Sequence, residues 1–93
     1  MFELRDLYQL IKIADCGTIS RAAEELYLSQ PALSRAMQKL EGELGVALFD
    51  RAKNKVELNE NGKFFVGIAR SLISECEDGA RRLRDFDRER KTF

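Results

Sequence analysis

Residues 18–45 read TISRAAEELYLSQPALSRAMQKLEGELG, and their punctuation decides the fold. Thr18 follows Gly17 and is placed to cap a short helix over Ile19–Leu26, its hydroxyl accepting a backbone N–H from the first turn. Ser29 is placed to cap a second, longer helix. Pro31 falls at the second position of that helix, where a missing N–H breaks no intrahelical bond. Because Pro31 has no donor, the Ser29 hydroxyl should take the N–H of Ala32. Gly45 stands where a left-handed residue would end the helix. Two capped helices joined by about three to four residues have the spacing of a helix-turn-helix, whose second helix can enter a DNA major groove.

Within the second capped helix, a rotation of about 100° per residue brings Leu33, Met37, Leu40 and Leu44 onto one face. Pro31, Arg35, Gln38 and Gly42 lie nearly opposite, with Ser34 on one flank, Lys39 on the other and Gln30 at the tip. Arg, Gln and Ser are groups that read base edges: Arg reads guanine, Gln adenine, and Ser either. In the shorter helix Ile19, Ala22, Ala23 and Leu26 form the inward face, and the paired alanines permit a close helix crossing. Leu28 in the turn is expected to be buried. Tyr27 beside it is read as a packing residue, with a place near a DNA backbone as the alternative.

Upstream, Leu4, Leu7, Ile11 and Ala14 recur at helical spacing, with Tyr8 and Leu10 flanking them, so residues 3–15 form an amphipathic first helix ended by Gly17. Downstream, apolar Val46–Phe49, polar and basic Asp50–Lys55 and alternating Val56–Leu58 suggest a β-hairpin wing. Leu48, Phe49, Val56 and Leu58 would tuck under the helices, while Arg51, Lys53, Asn54 and Lys55 would project. A basic wing of this kind follows a DNA backbone or enters the minor groove.

From Asn59, a further N-cap candidate, the pattern is helical to about Phe86. Phe65, Ala69, Leu72, Cys76, Gly79, Leu83 and Phe86 are spaced alternately four and three apart, an a/d heptad stripe. A helix of about 28 residues would be about 42 Å long, more than a small head can cover. Its early turns fit packing within the chain, and beyond Leu72 the stripe is expected to meet a second copy.

Composition bounds what else the chain can be. Its 93 residues suit one small domain, and at 44% hydrophobic and 34% charged it is globular and helix-rich. The opening MFELRD is not a signal peptide, and no run approaches the roughly 20 apolar residues of a membrane span. Cys16 and Cys76 lie far apart with no metal or redox spacing and read as reduced thiols in a cytoplasmic protein. Net charge is zero, but residues 29–40 hold Arg35 and Lys39 with no acid, and residues 51–56 hold Arg51, Lys53 and Lys55 with no acid. There is no histidine, no metal-ligand cluster, no glycine-rich phosphate loop and no nucleophile beside a base, so neither enzyme chemistry nor a cofactor or metal is expected.

The run SRAAEELYLSQPALSRAMQKLEGELGVALFDR resembles the N-terminal domain of LysR-type bacterial transcriptional regulators. The segments AAEEL, LSQPALSR, LE.ELGV.LF.R and LNENG carry the resemblance. It extends upstream through LRDLYQLIKIADCGTIS and downstream through VELNENGK, covering essentially residues 2–86. Asn59 departs mildly from the usual threonine cap. The resemblance implies a mainly α fold: a winged helix-turn-helix over residues 1–58, then a linker helix that pairs two subunits antiparallel. It implies DNA contacts from Gln30, Pro31, Ser34 and Arg35 and from Arg51 at the wing, with Thr18, Arg21 and Ser29 near phosphates. Members of the family continue into a C-terminal ligand-sensing domain. This chain stops where the linker helix should stop, so it is expected to be a DNA-binding fragment, with a small-molecule effector belonging only to the missing domain.

The expectation is therefore a three-helix head with the helix-turn-helix at about 18–37, a wing at about 46–58, and a linker and dimerisation helix with tail over 59–93. The function expected is sequence-specific binding of double-stranded operator DNA with inverted-repeat half-sites by a homodimer, regulating transcription, with tetramers open to the full-length protein. A helical protein-interaction module without DNA readout is the alternative, favoured by the neutral net charge.

Overall fold

In a computed structural model, which describes residues 1–52 and 55–91, the chain runs α1 (Leu4–Cys16), α2 (Ile19–Glu25), α3 (Gln30–Leu44), β1 (Phe49–Ala52), β2 (Lys55–Leu58) and α4 (Glu60–Lys91). Each boundary has a chemical cause. The Asp6 carboxylate accepts the N–H of Glu3 at 2.8 Å at the start of α1, and Gly17, at φ 88°, ends it by donating to the Ile13 carbonyl at 2.9 Å. Thr18 Oγ1 accepts the N–H of Arg21 at 3.1 Å and Ser29 Oγ that of Ala32 at 3.2 Å, as their positions predict. Gly45 closes α3 at φ 74°. Asn59 Oδ1 caps α4 by accepting the N–H of Gly62 at 2.8 Å, while its Nδ2 donates to the Ala47 carbonyl at 3.1 Å.

The head is built around α1. One side of it meets α2 and α3 and another meets α4. Leu10, Ile13, Ile19, Leu33, Met37 and Leu40 fill the main core, closed from below by Leu48, Phe49 and Val66. Leu7, Ala69 and Ile73 make a second, smaller cluster between α1 and α4, and the Phe2 and Phe65 rings meet edge to face at 6.0 Å beside it. Serving two partners turns the buried side of α1 to Leu7, Leu10 and Ile13. Leu4, expected on that stripe, stays exposed, and Ile11 and Ala14 are half-buried.

The wing is shorter than expected. Its strands pair antiparallel from Phe49 opposite Leu58 to Ala52 opposite Lys55. Val46 and Ala47 are exposed and lie outside the ladder, because the Ala47 carbonyl is engaged by Asn59 and Asn61 side-chain amides rather than by a strand.

Helix α4 is longer than its apolar stripe predicts. It passes Phe86 and continues to Lys91, for 32 residues or about 48 Å. Pairs Arg81–Asp78 at 3.1 Å, Arg88–Asp85 at 3.0 Å and Lys91–Asp87 at 3.1 Å run along its far half at helical spacing. Arg88, Arg90 and Lys91 in the last turn also suit the negative end of the helix dipole. Among the described residues beyond Ile73, none is buried. Where α4 leaves the head, Arg70 pairs with Asp15 of α1 at 2.6 Å and the Tyr8 hydroxyl donates to Glu77 at 3.4 Å.

Candidate functional site

The turn between α2 and α3 sets the angle at which α3 is presented. The N–H of Tyr27 donates to the Glu24 carbonyl at 3.2 Å and that of Leu28 to the Ala23 carbonyl at 2.9 Å. This is a Schellman arrangement, with Tyr27 left-handed at φ 58° where glycine is usual. The consequence corrects two expectations. Tyr27 is 96% exposed and does not pack, and Leu28 is 38% exposed rather than buried, since Leu26 fills the space below the turn.

Along α3 the division is as the rotation predicts. Leu33, Met37 and Leu40 are buried and Leu44 is half-buried, while Gln30, Pro31, Arg35, Gln38 and Lys39 are exposed and Ser34 is half-buried. The face therefore offers amide, hydroxyl and guanidinium groups on a rigid helix. Gln30 does not stand alone: Ser20, in the first turn of α2, donates its hydroxyl to Gln30 Oε1 at 2.8 Å.

The wing is anchored to α3 by Glu41. One carboxylate oxygen accepts the N–H groups of Leu48 at 2.7 Å and Phe49 at 3.1 Å, and the other accepts from the Arg51 guanidinium at 2.8 Å. Burial pushes the Glu41 carboxyl up, but the Arg51 guanidinium and the two backbone donors outweigh it and hold the group below the usual carboxylate range. Arg51 also lies 5.8 Å from the centre of the Phe49 ring. Sequence reading counted Glu41 only among the acids and gave Ser20 no role. For Glu41 the signal was its place one turn before an apolar segment whose backbone amides needed partners.

The cations fall into two groups. Arg21 pairs with Glu25 at 3.8 Å, Arg51 with Glu41, and Lys55 with Glu57 at 3.4 Å. Among the described residues, Arg35 and Lys39 enter no ion pair of this kind. Lys53 lies outside the described residues. Thr18, Ser20, Gln30 and Lys55 line a polar recess of about 300 Å³ between α2, the start of α3 and the wing. Arg21 and Ser29 are exposed close by in the chain.

The seven stripe positions of α4 do not share one environment. Ala69 is fully buried against α1 and Phe65 packs on Phe2, so both are occupied within the chain. Leu72, Cys76, Gly79, Leu83 and Phe86 are exposed. Phe64 and Ile68, which lie outside the counted stripe, are exposed beside Leu72 and line a shallow apolar trough with it. The stripe slips because α1 claims Val66, Ala69 and Ile73, a face rotated from the one that heptad counting selects. Cys16 is half-buried and its thiol is pushed up by burial and by Glu25, which suits a packing role.

The sequence profile described as a bacterial regulatory helix-turn-helix protein of the lysR family matches residues 4–63. A probable RuBisCO transcriptional regulator of Phaeodactylum tricornutum is 40% identical over 85 residues, covering 91% of this chain and 28% of that protein. The SDS degradation transcriptional activation protein of a Pseudomonas species is 44% identical over 84 residues, covering 90% of this chain and 26% of that protein. The chain thus spans between a quarter and a third of the length of these curated relatives. The fold superposes on the BenM DBD bound to catB site 1 DNA with a TM-score of 0.86, at 30% identity and 96% coverage of each chain. It superposes on the CbnR DBD–DNA complex with a TM-score of 0.85, at 35% identity, covering 92% of this chain and 99% of that one.

Proposed function

The chain belongs to the lysR family of bacterial regulatory helix-turn-helix proteins, and from that membership we propose that it binds double-stranded DNA sequence-specifically as a homodimer and regulates transcription. One observation carries the reading: Arg35 and Lys39 stand uncompensated on the exposed face of α3, among Gln30, Ser34 and Gln38. Free cations beside hydrogen-bonding side chains on a rigid helix suit a polyanion with readable edges. Residues 1–58 would form the reading unit and 59–93 the linking unit. Arg35, Gln30, Ser34 and Gln38 would face bases, with Pro31 fixing the helix start. Thr18, Arg21, Ser29, Arg51, Lys53 and Lys55 would meet phosphates. Several of these cations must exchange an internal carboxylate for a phosphate, so α3 supplies most of the driving charge.

Two copies would pair through the free half of α4, with antiparallel helices and Leu72, Leu83 and Phe86 in the seam. Two heads then address two inverted half-sites. Among the described residues no helix is long and apolar enough to cross a membrane, and a DNA regulator of this kind would work in the cytoplasm.

The test is a titration of Arg35→Ala against a selected site and against random duplex. Specific binding is expected to weaken by about 1–3 kcal/mol, and random-duplex binding by less. Equal losses on both would remove Arg35 from base reading. The neutral net charge keeps a protein-interaction module as the second reading. Negligible affinity of the unaltered protein for random duplex at low salt would favour that module, because phosphate contacts strengthen steeply as salt falls.

A further inference from the structure

Ser20 sits in the first turn of α2 and Gln30 in the first turn of α3, both on the exposed side of the helix-turn-helix. A serine hydroxyl at such a position ordinarily turns to water. Here it crosses between the helices and donates to Gln30 Oε1 at 2.8 Å, a good length for an O–H···O bond. The bond takes one of the two acceptor lone pairs of Oε1, points the carbonyl back at α2 and leaves both N–H donors of Nε2 for another partner. Two further features favour a held side chain over a chance contact. Gln30 directly precedes Pro31, which restricts its backbone, and its own neighbour Ser29 is fixed by capping Ala32. The pair also forms one wall of the polar recess that Thr18 and Lys55 share.

We infer that Ser20 is a positioning residue that decides which base edge Gln30 reads. The inference rests on the DNA-binding reading above and deepens it. A glutamine free to rotate presents acceptor and donor side by side, the combination that adenine N6 and N7 match. A glutamine whose carbonyl is held by Ser20 presents donors foremost, and these match guanine O6 and N7 or thymine O4. Ser20 thereby shifts Gln30 from an adenine reader to a reader of acceptor edges without touching the base itself.

The experiment selects bound duplexes from a random library with the unaltered protein and with Gln30→Ala, Ser20→Ala and Ser20→Thr. Gln30→Ala identifies the base pair concerned by flattening its preference. At that pair the unaltered protein and Ser20→Thr are expected to enrich guanine or thymine. Ser20→Ala is expected to lose about three- to tenfold of that enrichment and gain adenine, the scale of one hydrogen bond. Affinity for random duplex should not change, which reports an intact fold. Identical base frequencies for Ser20→Ala and the unaltered protein would overturn the inference. So would Ser20→Thr behaving like Ser20→Ala, an adenine preference in the unaltered protein, or no flattening by Gln30→Ala. If the unaltered protein enriches no sequence, the DNA reading fails first and takes this inference with it.

Discussion

Helices α3 and α4 each bury one side in the same head and leave the other side exposed, but they leave different things exposed. On α3 the exposed side is polar and carries the unpaired Arg35 and Lys39. On the far half of α4 acids stand among the cations, several of them paired as in Arg81–Asp78 and Lys91–Asp87, and large apolar groups lie between them. Leu72 is 42% exposed, Leu83 67% and Phe86 61%. One helix lacks counter-charge and the other lacks apolar cover. A single copy satisfies neither, and no one partner supplies both. That difference is the basis on which the proposed function would give DNA to α3 and a second copy to α4.

The largest expected effect tests whether the two surfaces are independent. Leu40 is buried in the head, and Leu40→Ala is expected to cost about 2–5 kcal/mol in a urea unfolding titration. Leu72→Asp, on the exposed side of α4, should leave head stability within about 0.5 kcal/mol. It should instead shift the protein toward monomer in sedimentation and weaken binding to a two-half-site duplex through lost bivalency. A Leu72→Asp protein that stays dimeric would place the seam elsewhere on α4, with the Phe64–Ile68 side as the next place to look.

Two glycines of α4 sharpen the same contrast. A Cβ at buried Gly62 would collide with the Leu48 carbonyl oxygen and with Leu58 Cδ2. Because one of these is backbone, Gly62→Ala is expected to destabilise by about 1–3 kcal/mol. At Gly79 nothing lies within 4 Å of the same added atom, so within one copy Gly79→Ala should stabilise the helix by about 0.5–1 kcal/mol. Melting at several concentrations separates the cases. If Gly79→Ala raises stability when dilute but lowers it when concentrated, a partner helix approaches closely at that position.

Legibility followed how local each cause was. The caps at Thr18, Ser29 and Asn59 and the stops at Gly17 and Gly45 depend on neighbours within a few residues, and each formed as its residue type dictates. The core face of α3 was legible for the same reason, since one rotation suffices when a helix buries a single side. α1 and α4 were read less well. α1 has partners on two sides, so a single-stripe reading placed Leu4 inside and missed Leu10 and Ile13 as central. On α4 the heptad count joined Phe65 and Ala69 to Leu72 and Leu83, although α1 holds the first two. Nothing in the local spacing shows where a neighbouring helix ends. The Ser20–Gln30 and Glu41–Arg51 pairs span 10 residues each and needed the fold before they could be seen.

A further expected effect, confined to one tie, bears on how firmly the exposed face of α3 is joined to the wing. Glu41 ties α3 to the wing through the Leu48 and Phe49 amides and Arg51, so it fixes the wing relative to the exposed face of α3. Glu41→Gln keeps the shape but removes the charge, and should cost about 1–2 kcal/mol near neutral pH, the scale of weakening charge-assisted hydrogen bonds. Because the folded carboxyl is held below its unfolded value, its contribution is complete above the ordinary glutamate range. It is lost as pH falls through the lower folded value. The unaltered protein should therefore lose stability on acidification more steeply than Glu41→Gln, and the two should converge at the acid end. Parallel acid limbs would mean that Arg51 and the backbone amides hold a neutral Glu41 as well as a charged one. The wing would then be set by the packing of Leu48 and Phe49, and the coupling of α3 to its wing would be apolar, like the coupling of α4 to α1.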